Sequence, residues 1–595
     1  MKIFLSWLKN YKKEAFFAPF FKLTEACFEL FVPLVMARII DIGIAQSDKS
    51  VIWQNGLVLV GLAAAGLIVA ITAQYFAAKA AVGVSGSLRK QLFTRIMSME
   101  AAEVDKAGTS TLITRMTSDI NQVQTGINMT LRLLLRSPII VFGAMIMAFT
   151  IDVPCALIFC VAVPILAIIV IGITRLSIPM FSKVQKMLDA VMLSSRENLT
   201  GVRVIRAFNL QDDEQKAFGE KNAALKKKQI SASNFTALTN PVTFIVVNAA
   251  VMFLIYKGAI RVNIGAITQG QAVAILNYMS QILVELLKLT NLIVTITKSL
   301  ASAQRVASVL GDGGNTKSPA APEEPDAEVN TAEAAGSGKK AGEETLKAVA
   351  SSENIVEFKN VSLRYSKGSE PAISDISFTV KKGQTVGVIG GTGSGKSSLI
   401  NLIPGMYEAT VGSVSVFGED INSADKVSLR ERIGVVPQKA VLFKGTVRSN
   451  MQIGNGSATD DEMTDALKKA QAYDFVSEKG GLDAEVLQNG KNFSGGQRQR
   501  LTIARALVRK PEILILDDST SALDFLTEKN IREEIAKIKD ATVFIVSQRA
   551  SSVMNTDMII VLDDGKAVGI GTHDELLKSC SVYEEIYYSQ FERKN

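Results

Sequence analysis

Residues 385–403 read TVGVIGGTGSGKSSLINLI, and this stretch decides the fold of the C-terminal half of the chain. An apolar, β-branched run enters a glycine-rich turn, and a helical segment follows. This strand–loop–helix order is what a phosphate-binding loop requires, because glycines let backbone N–H groups curl around phosphates. Lys396 is expected to reach the terminal phosphates, and Ser397 is expected to coordinate Mg²⁺. The predicted loop residues are Gly390, Gly391, Thr392, Gly393, Ser394, Gly395, Lys396, Ser397 and Ser398.

A second stretch that carries candidate functional side chains is ILILDDST, residues 513–520. Its aliphatic run indicates a buried strand that carries Asp517 and Asp518 at its carboxyl end. A carboxylate in that position can hold Mg²⁺ through a water molecule. Two earlier segments, IVEFKNVSLRY and ISFTV, alternate in the period of β-strands. Together these features predict an α/β nucleotide-binding domain over residues 353–595.

The first half of the chain differs because its apolar residues fall in long runs. A bilayer core about 30 Å thick needs roughly 20 apolar residues per helix, and this criterion indicates six spans. We therefore predict an all-α transmembrane domain over residues 1–310. Its spans lie near 17–40, 56–79, 132–151, 155–175, 241–260 and 272–296.

The connections between the predicted spans alternate in length. The links 80–131 and 176–240 are long and rich in Lys and Arg, whereas the other three are short. Such an excess of positive charge is typical of cytoplasmic segments, so both termini and the nucleotide-binding domain are expected in the cytoplasm. Apolar residues recur at helical spacing in 110–124 and 197–208, which favours helices below the bilayer over solvated loops.

Several ionisable residues lie inside or at the edge of the predicted spans. Glu25 and Glu29 are four residues apart and share a helix face, and Glu285 and Lys288 lie in the sixth span. Charges at membrane depth usually line a cavity or pair with each other. One hypothesis is a cavity wall that attracts cationic amphipathic solutes. The other places Glu25 near the headgroups and treats Glu285 and Lys288 as an ion pair.

Composition excludes several classes of protein. The chain has 595 residues, 48% of them hydrophobic, and a net charge of +7. The basic residues flank apolar runs and are not interleaved with aromatic residues, which argues against nucleic-acid binding. The four cysteines form no C-x-x-C pair, and the only histidine is His573, so zinc frameworks and histidine-based triads are not indicated.

Residues 311–352 separate the two predicted domains. The segment is rich in Gly, Pro, Ala, Glu and Lys and contains no aromatic residue. Such a composition buries too little apolar surface to offset the entropy of ordering. We therefore predict a flexible linker.

The stretch NFSGGQRQRLTIARAL, residues 492–507, lies just ahead of the acidic strand. Its SGGQ resembles the signature motif of ATP-binding cassette (ABC) proteins. Ser494 and the glycines after it stand at a helix start and can form a second anion cradle. The resemblance implies that this cradle caps the γ-phosphate of ATP held by an opposite subunit, so cassettes work as head-to-tail dimers. The signature residues are Ser494, Gly495, Gly496 and Gln497.

Further positions match the ABC pattern one by one. Tyr365 resembles the aromatic residue that stacks on adenine, with a core tyrosine as the alternative. Gln438 resembles the glutamine that senses Mg²⁺, and Ser397, Gln438 and Asp517 are thus the implied metal ligands. Residues 521–524, SALD, resemble the loop that crosses to the other subunit. Six helices followed by one cassette resemble an ABC exporter half-transporter.

Two positions depart from the family pattern around the γ-phosphate. Asp518 stands where the family has a catalytic Glu, and Gln548 stands where it has a His. Asp is one methylene shorter than Glu, and a misplacement of about 1 Å can cost on the order of 100-fold in rate. The resemblance therefore implies a site that binds ATP and Mg²⁺ but hydrolyses ATP poorly.

An intact signature beside a weakened ATP site resembles one subunit of a heterodimeric bacterial multidrug ABC exporter. The implied partners are a second half-transporter, the lipid bilayer of a bacterial cell membrane and an amphipathic small-molecule substrate. The first alternative is a homodimeric lipid or peptide exporter, which would contain two weakened sites. The second is a regulatory ATPase or receptor, and six spans with two long cytoplasmic links argue against it.

Overall fold

The computed structural model describes residues 2–311, 354–366 and 368–592. The chain divides into two compact units, one of Met1–Met99 and Ala107–Ala321 and one of Glu100–Lys106 and Pro322–Asn595. The predicted linker at 311–352 lies, apart from its first residue, outside the described residues.

The described part of the first unit is entirely helical, as the long apolar runs predict. Two π-helical segments, Ile39–Ile44 and Arg115–Asp119, interrupt the regular helices. The α-helices numbered from here include α4, most of which groups with the second unit. They are α1 (Lys2–Trp7), α2 (Lys12–Arg38), α3 (Lys49–Ser98), α4 (Ala101–Ala107), α5 (Thr109–Thr114), α6 (Ile120–Leu133), α7 (Arg136–Ile151), α8 (Val153–Thr200), α9 (Val202–Ala207), α10 (Gln211–Ala237), α11 (Thr239–Asn263) and α12 (Gln269–Leu310).

Five helical segments in the described residues are long and apolar enough to cross a membrane. Each contains one of the last five predicted spans. The first predicted span lies on α2, which is long enough but carries Lys22, Glu25 and Glu29 in its middle. These three charges explain why α2 is not among the helices whose composition is apolar enough to cross a membrane. The five segments are Lys49–Ser98, Thr109–Ile151, Val153–Thr200, Gln211–Asn263 and Gln269–Leu310.

Small residues let the helices of this unit approach closely. On α3, Ala73, Ala77, Ala80 and Ala81 are fully buried, and this helix packs against α2. Alanines spaced by three and four residues form one face of the helix, which brings two backbones together without large side chains between them.

The second unit contains the predicted α/β domain, built on three sheets. A four-stranded antiparallel sheet has the order β2-β1-β4-β5, and a six-stranded sheet has the order β12-β11-β3-β10-β9-β6, with a two-stranded β7-β8 ribbon. The strands are β1 (Asn354–Leu363), β2 (Ile373–Lys381), β3 (Thr385–Gly390), β4 (Val411–Val416), β5 (Glu419–Asp420), β6 (Ile433–Val436), β7 (Gly445–Thr446), β8 (Glu485–Val486), β9 (Ile513–Asp517), β10 (Thr542–Ser547), β11 (Met558–Asp563) and β12 (Lys566–Gly571).

In the six-stranded sheet all neighbours are parallel except β11 and β12. The central strands β9 and β10 are buried along their whole length, as expected for a parallel sheet covered on both faces. The helices of the unit are α13 (Lys396–Ile400), α14 (Lys426–Glu431), α15 (Val447–Gly454), α16 (Asp460–Lys469), α17 (Tyr473–Glu478), α18 (Gly495–Leu507), α19 (Phe525–Ala536), α20 (Ala550–Val553), α21 (His573–Ser579) and α22 (Ser581–Tyr588).

Candidate functional site

The carboxyl ends of four parallel strands meet at one edge of the six-stranded sheet. Lys396 follows β3 through the glycine-rich turn, Gln438 follows β6, Asp517 ends β9 and Gln548 follows β10. These strands are neighbours in the order β3-β10-β9-β6. Open α/β sheets bind ligands outside this edge. The topology therefore gathers four of the residues that the sequence singles out.

Lys396 begins α13, and its side chain turns back over the loop that precedes it. Its Nζ donates to the carbonyl oxygens of Gly390 (2.8 Å) and Gly391 (2.5 Å) and to Ser394 Oγ (3.3 Å). Burial lowers the pKa of this ammonium, against the opposing effect of the aspartates at the end of β9. The side chain is a buried cation hydrogen-bonded to neutral oxygens. It is suited to receive an anionic ligand.

Two of the predicted metal ligands, Ser397 and Gln438, contact the aspartates at the end of β9, and Asp517 is the third predicted ligand. Ser397 Oγ donates to Asp517 Oδ1 (3.2 Å), and Gln438 Nε2 donates to Asp518 Oδ2 (3.3 Å). Burial, reinforced by the charge of Asp518, raises the pKa of the Asp517 carboxyl. Hydroxyl, amide and carboxylate oxygens are the ligands that Mg²⁺ prefers. The donor set fits that ion, whose charge would compensate the buried carboxylate.

The glycines of the loop divide into two kinds. A Cβ at Gly395, where φ is +94°, would lie 2.6 Å from the carbonyl oxygen of Ala372. A Cβ at Gly391 or Gly393 would meet no described atom within 4 Å. The loop is therefore packed on one face and open on the other, where backbone N–H groups can receive phosphate oxygens. This open cradle fits the phosphate chain of a nucleotide.

Tyr365 lies just after β1, which ends at Leu363, and it is half exposed. Its hydroxyl forms a 2.8 Å hydrogen bond with Ser398 Oγ. Its ring meets Tyr407 edge to face at 5.0 Å, and Tyr407 in turn donates to Asp105 at 2.5 Å. Such exposure does not fit the core tyrosine that was the alternative. The stacking of Tyr365 on adenine stays a prediction.

The signature residues lie in the helical part of the unit. Ser494 is the N-cap of α18: its Oγ accepts from Gln497 N, and Gln497 Oε1 accepts from Ser494 N (3.0 Å). This helix packs against α15, α16 and β6, whereas α13 packs against β3, β9 and β10. A Cβ at Gly495 would meet no described atom within 4 Å. The signature thus opens outward, and it lies on elements other than those that carry the phosphate-binding loop.

The two residues that depart from the pattern frame the same edge. Asp518 has a φ of +44°, a conformation that residues with a Cβ rarely adopt, and its N–H donates to Val546 O (3.0 Å). Gln548 is exposed directly after β10. His573, which begins α21, forms a 2.8 Å hydrogen bond with the hydroxyl of Tyr583.

A buried arginine connects three helices of the first unit. Arg136 Nη2 donates to both carboxylate oxygens of Glu29 (2.7 and 2.8 Å), and Nη1 donates to Glu285 (2.8 Å). Ser137 Oγ and Lys288 Nζ also donate to Glu285, each at 2.8 Å. Glu29 and Glu285, two of the three glutamates named from the sequence, are thus neutralised by cations from the chain itself.

The remaining glutamate has its own partner. Lys22 Nζ lies 2.5 Å from Glu25 Oε2, and Arg136 Nε is 3.9 Å from the other oxygen. We name the charge cluster by its six residues, three cations and three carboxylates: Lys22, Glu25, Glu29, Arg136, Glu285 and Lys288. The Glu285–Lys288 ion pair that the sequence suggested is part of this larger cluster.

Comparison with known proteins identifies the family. Residues 15–286 match the model of the ABC transporter transmembrane region, and residues 373–521 match the ABC transporter model. The chain belongs to the ABC transporters. This confirms the resemblance given by the signature motif. The fold, a helical transmembrane domain followed by an α/β nucleotide-binding domain, is confirmed as well.

Relatives match along almost the whole length. The uncharacterized ABC transporter ATP-binding protein YfiB of Bacillus subtilis is 35% identical over 591 residues, covering 99% of this chain and 98% of that protein. The putative multidrug export ATP-binding/permease protein YgaD of Bacillus subtilis is 32% identical and covers 99% of each chain. A bacterial Atm1-family ABC exporter with ATP bound superposes with a TM-score of 0.76 over 99% of both chains at 22% identity, which supports the fold alone.

Several contacts around these sites are not visible in the sequence motifs. Arg136 lies at the edge of a predicted span, but its partners are 107 and 149 residues away along the chain. Gln590, near the C-terminus, contacts the backbone of Gln548, 42 residues earlier. Neither residue lies in a recognisable motif, and only the fold brings them to their partners.

Proposed function

We propose that this chain is one subunit of an ATP-driven exporter whose own site binds ATP and hydrolyses it slowly. The observation that carries the proposal is the pairing of an intact phosphate cradle with Asp518 and Gln548 at the two positions around the γ-phosphate. The binding residues are present and mutually arranged. Asp518 takes the place of the Glu expected to polarise the attacking water, and Gln548 takes the place of the His expected to contact the γ-phosphate.

In the proposed complex, Lys396 neutralises the terminal phosphates of ATP, and the backbone N–H groups of the loop hold their oxygens. Ser397, Gln438 and Asp517 would hold Mg²⁺, whose positive charge would stabilise the β- and γ-phosphates during hydrolysis. Tyr365 stacks on the adenine. Asp518 is shorter than Glu by one methylene, and its Oδ2 accepts a hydrogen bond from Gln438. A carboxylate held back in this way polarises water poorly.

The signature residues are proposed to serve the ATP of a different half-transporter. Ser494 caps α18, which packs on elements other than those that carry the phosphate-binding loop. Gly495 leaves the start of α18 open, so a phosphate held by a facing cassette can reach the N–H groups there. A heterodimer then contains one slow and one competent site. A homodimer, as in a lipid or peptide exporter, contains two slow ones.

We infer that the transported compounds are amphipathic. A relative of similar length is named as a putative multidrug exporter, and the membrane unit exposes many large aliphatic and aromatic side chains. The charge cluster carries no net charge, so it does not by itself favour a cationic or an anionic solute. We place the nucleotide-binding domain and both termini in the cytoplasm of a bacterial cell, because the two long links are rich in Lys and Arg, as cytoplasmic segments usually are.

The experiment is an ATPase assay on the purified full-length chain in lipid nanodiscs. We expect ATP binding with turnover far below that of competent exporters, since the loss of a positioned general base costs about 10²–10⁴-fold. The Lys396→Ala variant sets the background. Rapid hydrolysis by the chain alone, abolished in that variant, would contradict the slow site and favour the homodimer.

A further inference from the structure

The loop that follows β10 is held at its backbone by a residue near the C-terminus. Gln590 Nε2 donates to the carbonyl oxygen of Gln548 (2.9 Å), and Gln590 Oε1 accepts from the N–H of Ala550 (2.9 Å). One amide side chain therefore satisfies two backbone groups on either side of Arg549. Together these bonds fix the backbone from which the Gln548 side chain projects.

The opposite side of the loop is anchored to the helix α19, which follows residues 521–524. Arg549 Nη1 and Ser552 Oγ donate to the two oxygens of Glu528, at 3.0 and 2.5 Å. The carboxylate of Glu528 is buried, with 1% of its residue surface exposed. Arg549 Nη2 also donates to the carbonyl oxygen of Ser521 at 3.4 Å. The loop is thus held between α19 and the C-terminal segment.

Apolar packing does not account for the placement of Gln590. The side chain is exposed, and it lines a cavity of about 860 Å³ together with Arg549, Ser551 and Phe591. An exposed side chain loses rotamer entropy when it is held in one place, and the two hydrogen bonds to the loop are what Gln590 gains in return.

We propose that Gln590 is a positioning residue that fixes the loop 548–550 and thereby aims Gln548 at the terminal phosphate of the nucleotide. This inference rests on the proposed function, which places Gln548 at that phosphate. A residue that acts in this way distinguishes ATP from ADP, because only ATP has a phosphate within reach of Gln548. It leaves the contacts of the adenine and of the other phosphates unchanged.

The test measures nucleotide affinity rather than turnover, so a slow site does not obscure it. Full-length protein in lipid nanodiscs is titrated by calorimetry with Mg²⁺ and either ATPγS or ADP. For Gln590→Ala we expect ATPγS affinity to fall about tenfold, the scale of one or two hydrogen bonds, and ADP affinity to stay within twofold. Gln590→Glu keeps the acceptor for Ala550 but replaces the donor by a carboxylate oxygen that repels the carbonyl oxygen of Gln548, so its loss should be at least as large.

The matched control is Ser589→Ala, one residue earlier. Ser589 Oγ donates to Ile586 O within its own helix end, so this variant should bind both nucleotides like the wild type. Thermal unfolding of all variants is recorded as well. An unchanged unfolding temperature in Gln590→Ala separates loss of positioning from loss of folding.

A double-mutant cycle with Gln548→Ala shows whether Gln590 acts through Gln548. We expect Gln548→Ala alone to weaken ATPγS, and the added Gln590→Ala to weaken it little further. Equal losses for ATPγS and ADP, or additive losses in the cycle, would overturn the positioning role. The role would also be overturned if Gln590→Ala bound ATPγS as tightly as the wild type while Gln548→Ala bound it more weakly. If Gln548→Ala itself does not distinguish the nucleotides, the proposed role of Gln548 fails first.

Discussion

Each unit of the molecule contains a buried cation, and the two differ in whether their hydrogen-bond partners carry negative charge. In the first unit, which contains the transmembrane domain, Arg136 has 7% of its side-chain surface exposed and forms ion pairs with the carboxylates of Glu29 and Glu285. In the second unit, which contains the nucleotide-binding domain, Lys396 is 8% exposed and donates hydrogen bonds to two backbone carbonyls and a hydroxyl. The first cation is neutralised by its own chain. The second is left for a ligand.

The difference lies in what compensates the desolvation of each charge. A buried ion costs several kcal/mol unless close counter-charges offset it. Carboxylates from two other helices do so at Arg136, which makes this residue part of the fold. At Lys396 no carboxylate is bonded, and burial accordingly lowers the pKa of the ammonium. We therefore expect phosphate to complete the compensation at Lys396, whereas the paired Arg136 joins helices.

The largest expected effect is on stability, at Arg136. Arg136→Met leaves Glu285 and Glu29 without their guanidinium, and breaking a buried pair in this way costs about 3–5 kcal/mol. Thermal unfolding in lipid nanodiscs should show a large fall in midpoint. Adding Glu285→Gln restores the charge balance and should recover part of it. Lys529→Ala, which removes an exposed pair with Glu533, is the control and should change little. A stable Arg136→Met would refute the structural role.

The second expected effect is on nucleotide affinity, at Lys396. Lys396→Ala removes charge-assisted contacts worth about 1.5–3 kcal/mol each, so ATP affinity should fall on the order of 100-fold. Stability of the ligand-free protein should hardly change, because no bonded carboxylate loses its partner. Calorimetric titration with ATP measures the first effect, and thermal unfolding measures the second. A loss of stability comparable to that of Arg136→Met would erase the contrast between the two cations.

How much of this contrast the sequence reveals differs between the units. Lys396, Ser397 and Asp517 lie in short motifs, whose local strand–loop–helix geometry is set by neighbours in the sequence. Their convergence at one edge then follows from the parallel sheet. The partners of Arg136 come from α2 and α12, and only the packing of helices decides which glutamates it meets. For this reason Glu29 and Glu285 could be named from the sequence, but their shared counter-ion could not.

The same reason explains why Gln590 escapes sequence analysis. Its two bonds are to backbone atoms of Gln548 and Ala550, and a backbone partner leaves no mark in residue types. The presence of the long helices is easier to predict than their ends. The spans near 155–175 and 272–296 were predicted as membrane-length helices, yet α8 and α12 run far beyond them. Hydropathy identifies only the apolar part of each helix, and the polar part that continues it has no such signal.

The third prediction concerns pH at the metal site. Burial and the charge of Asp518 raise the pKa of Asp517, and Mg²⁺ binds only its ionised form. Apparent Mg²⁺ affinity should therefore be constant at high pH and fall as pH drops through this raised pKa. The fall begins at a higher pH than for an ordinary aspartate, whose pKa is about 3.9. The apparent Mg²⁺ affinity is measured by titrating Mg²⁺ into the ADP-bound protein at several pH values.

Ser397→Ala sharpens that test. The hydroxyl donates to Asp517 and so lowers the pKa of the carboxyl. Without it, the midpoint of the fall should move to still higher pH. Asp517→Asn should remove the dependence together with most of the Mg²⁺ affinity. A profile that stays flat in the wild type down to the ordinary range would show that Asp517 carries no raised pKa in solution.

The smallest expected effect is at Asp518, and it decides whether the slow site is real. In a complex with a partner that has a competent site, turnover depends on the partner's catalytic Glu, so Asp518→Asn should change steady-state ATPase by less than about twofold. This follows because a lost general base, although worth about 10²–10⁴-fold, matters only at the site that carries the turnover. The matched control is the partner's Glu→Gln variant, which should nearly abolish activity. Lys396→Ala in the same complex should impair transport more than Asp518→Asn does, since bound ATP stabilises the closed dimer without being cleaved. If Asp518→Asn instead lowers ATPase to the level of the partner's Glu→Gln variant, Asp518 is a working base, and its hydrogen bond with Gln438 positions it for catalysis rather than holding it back.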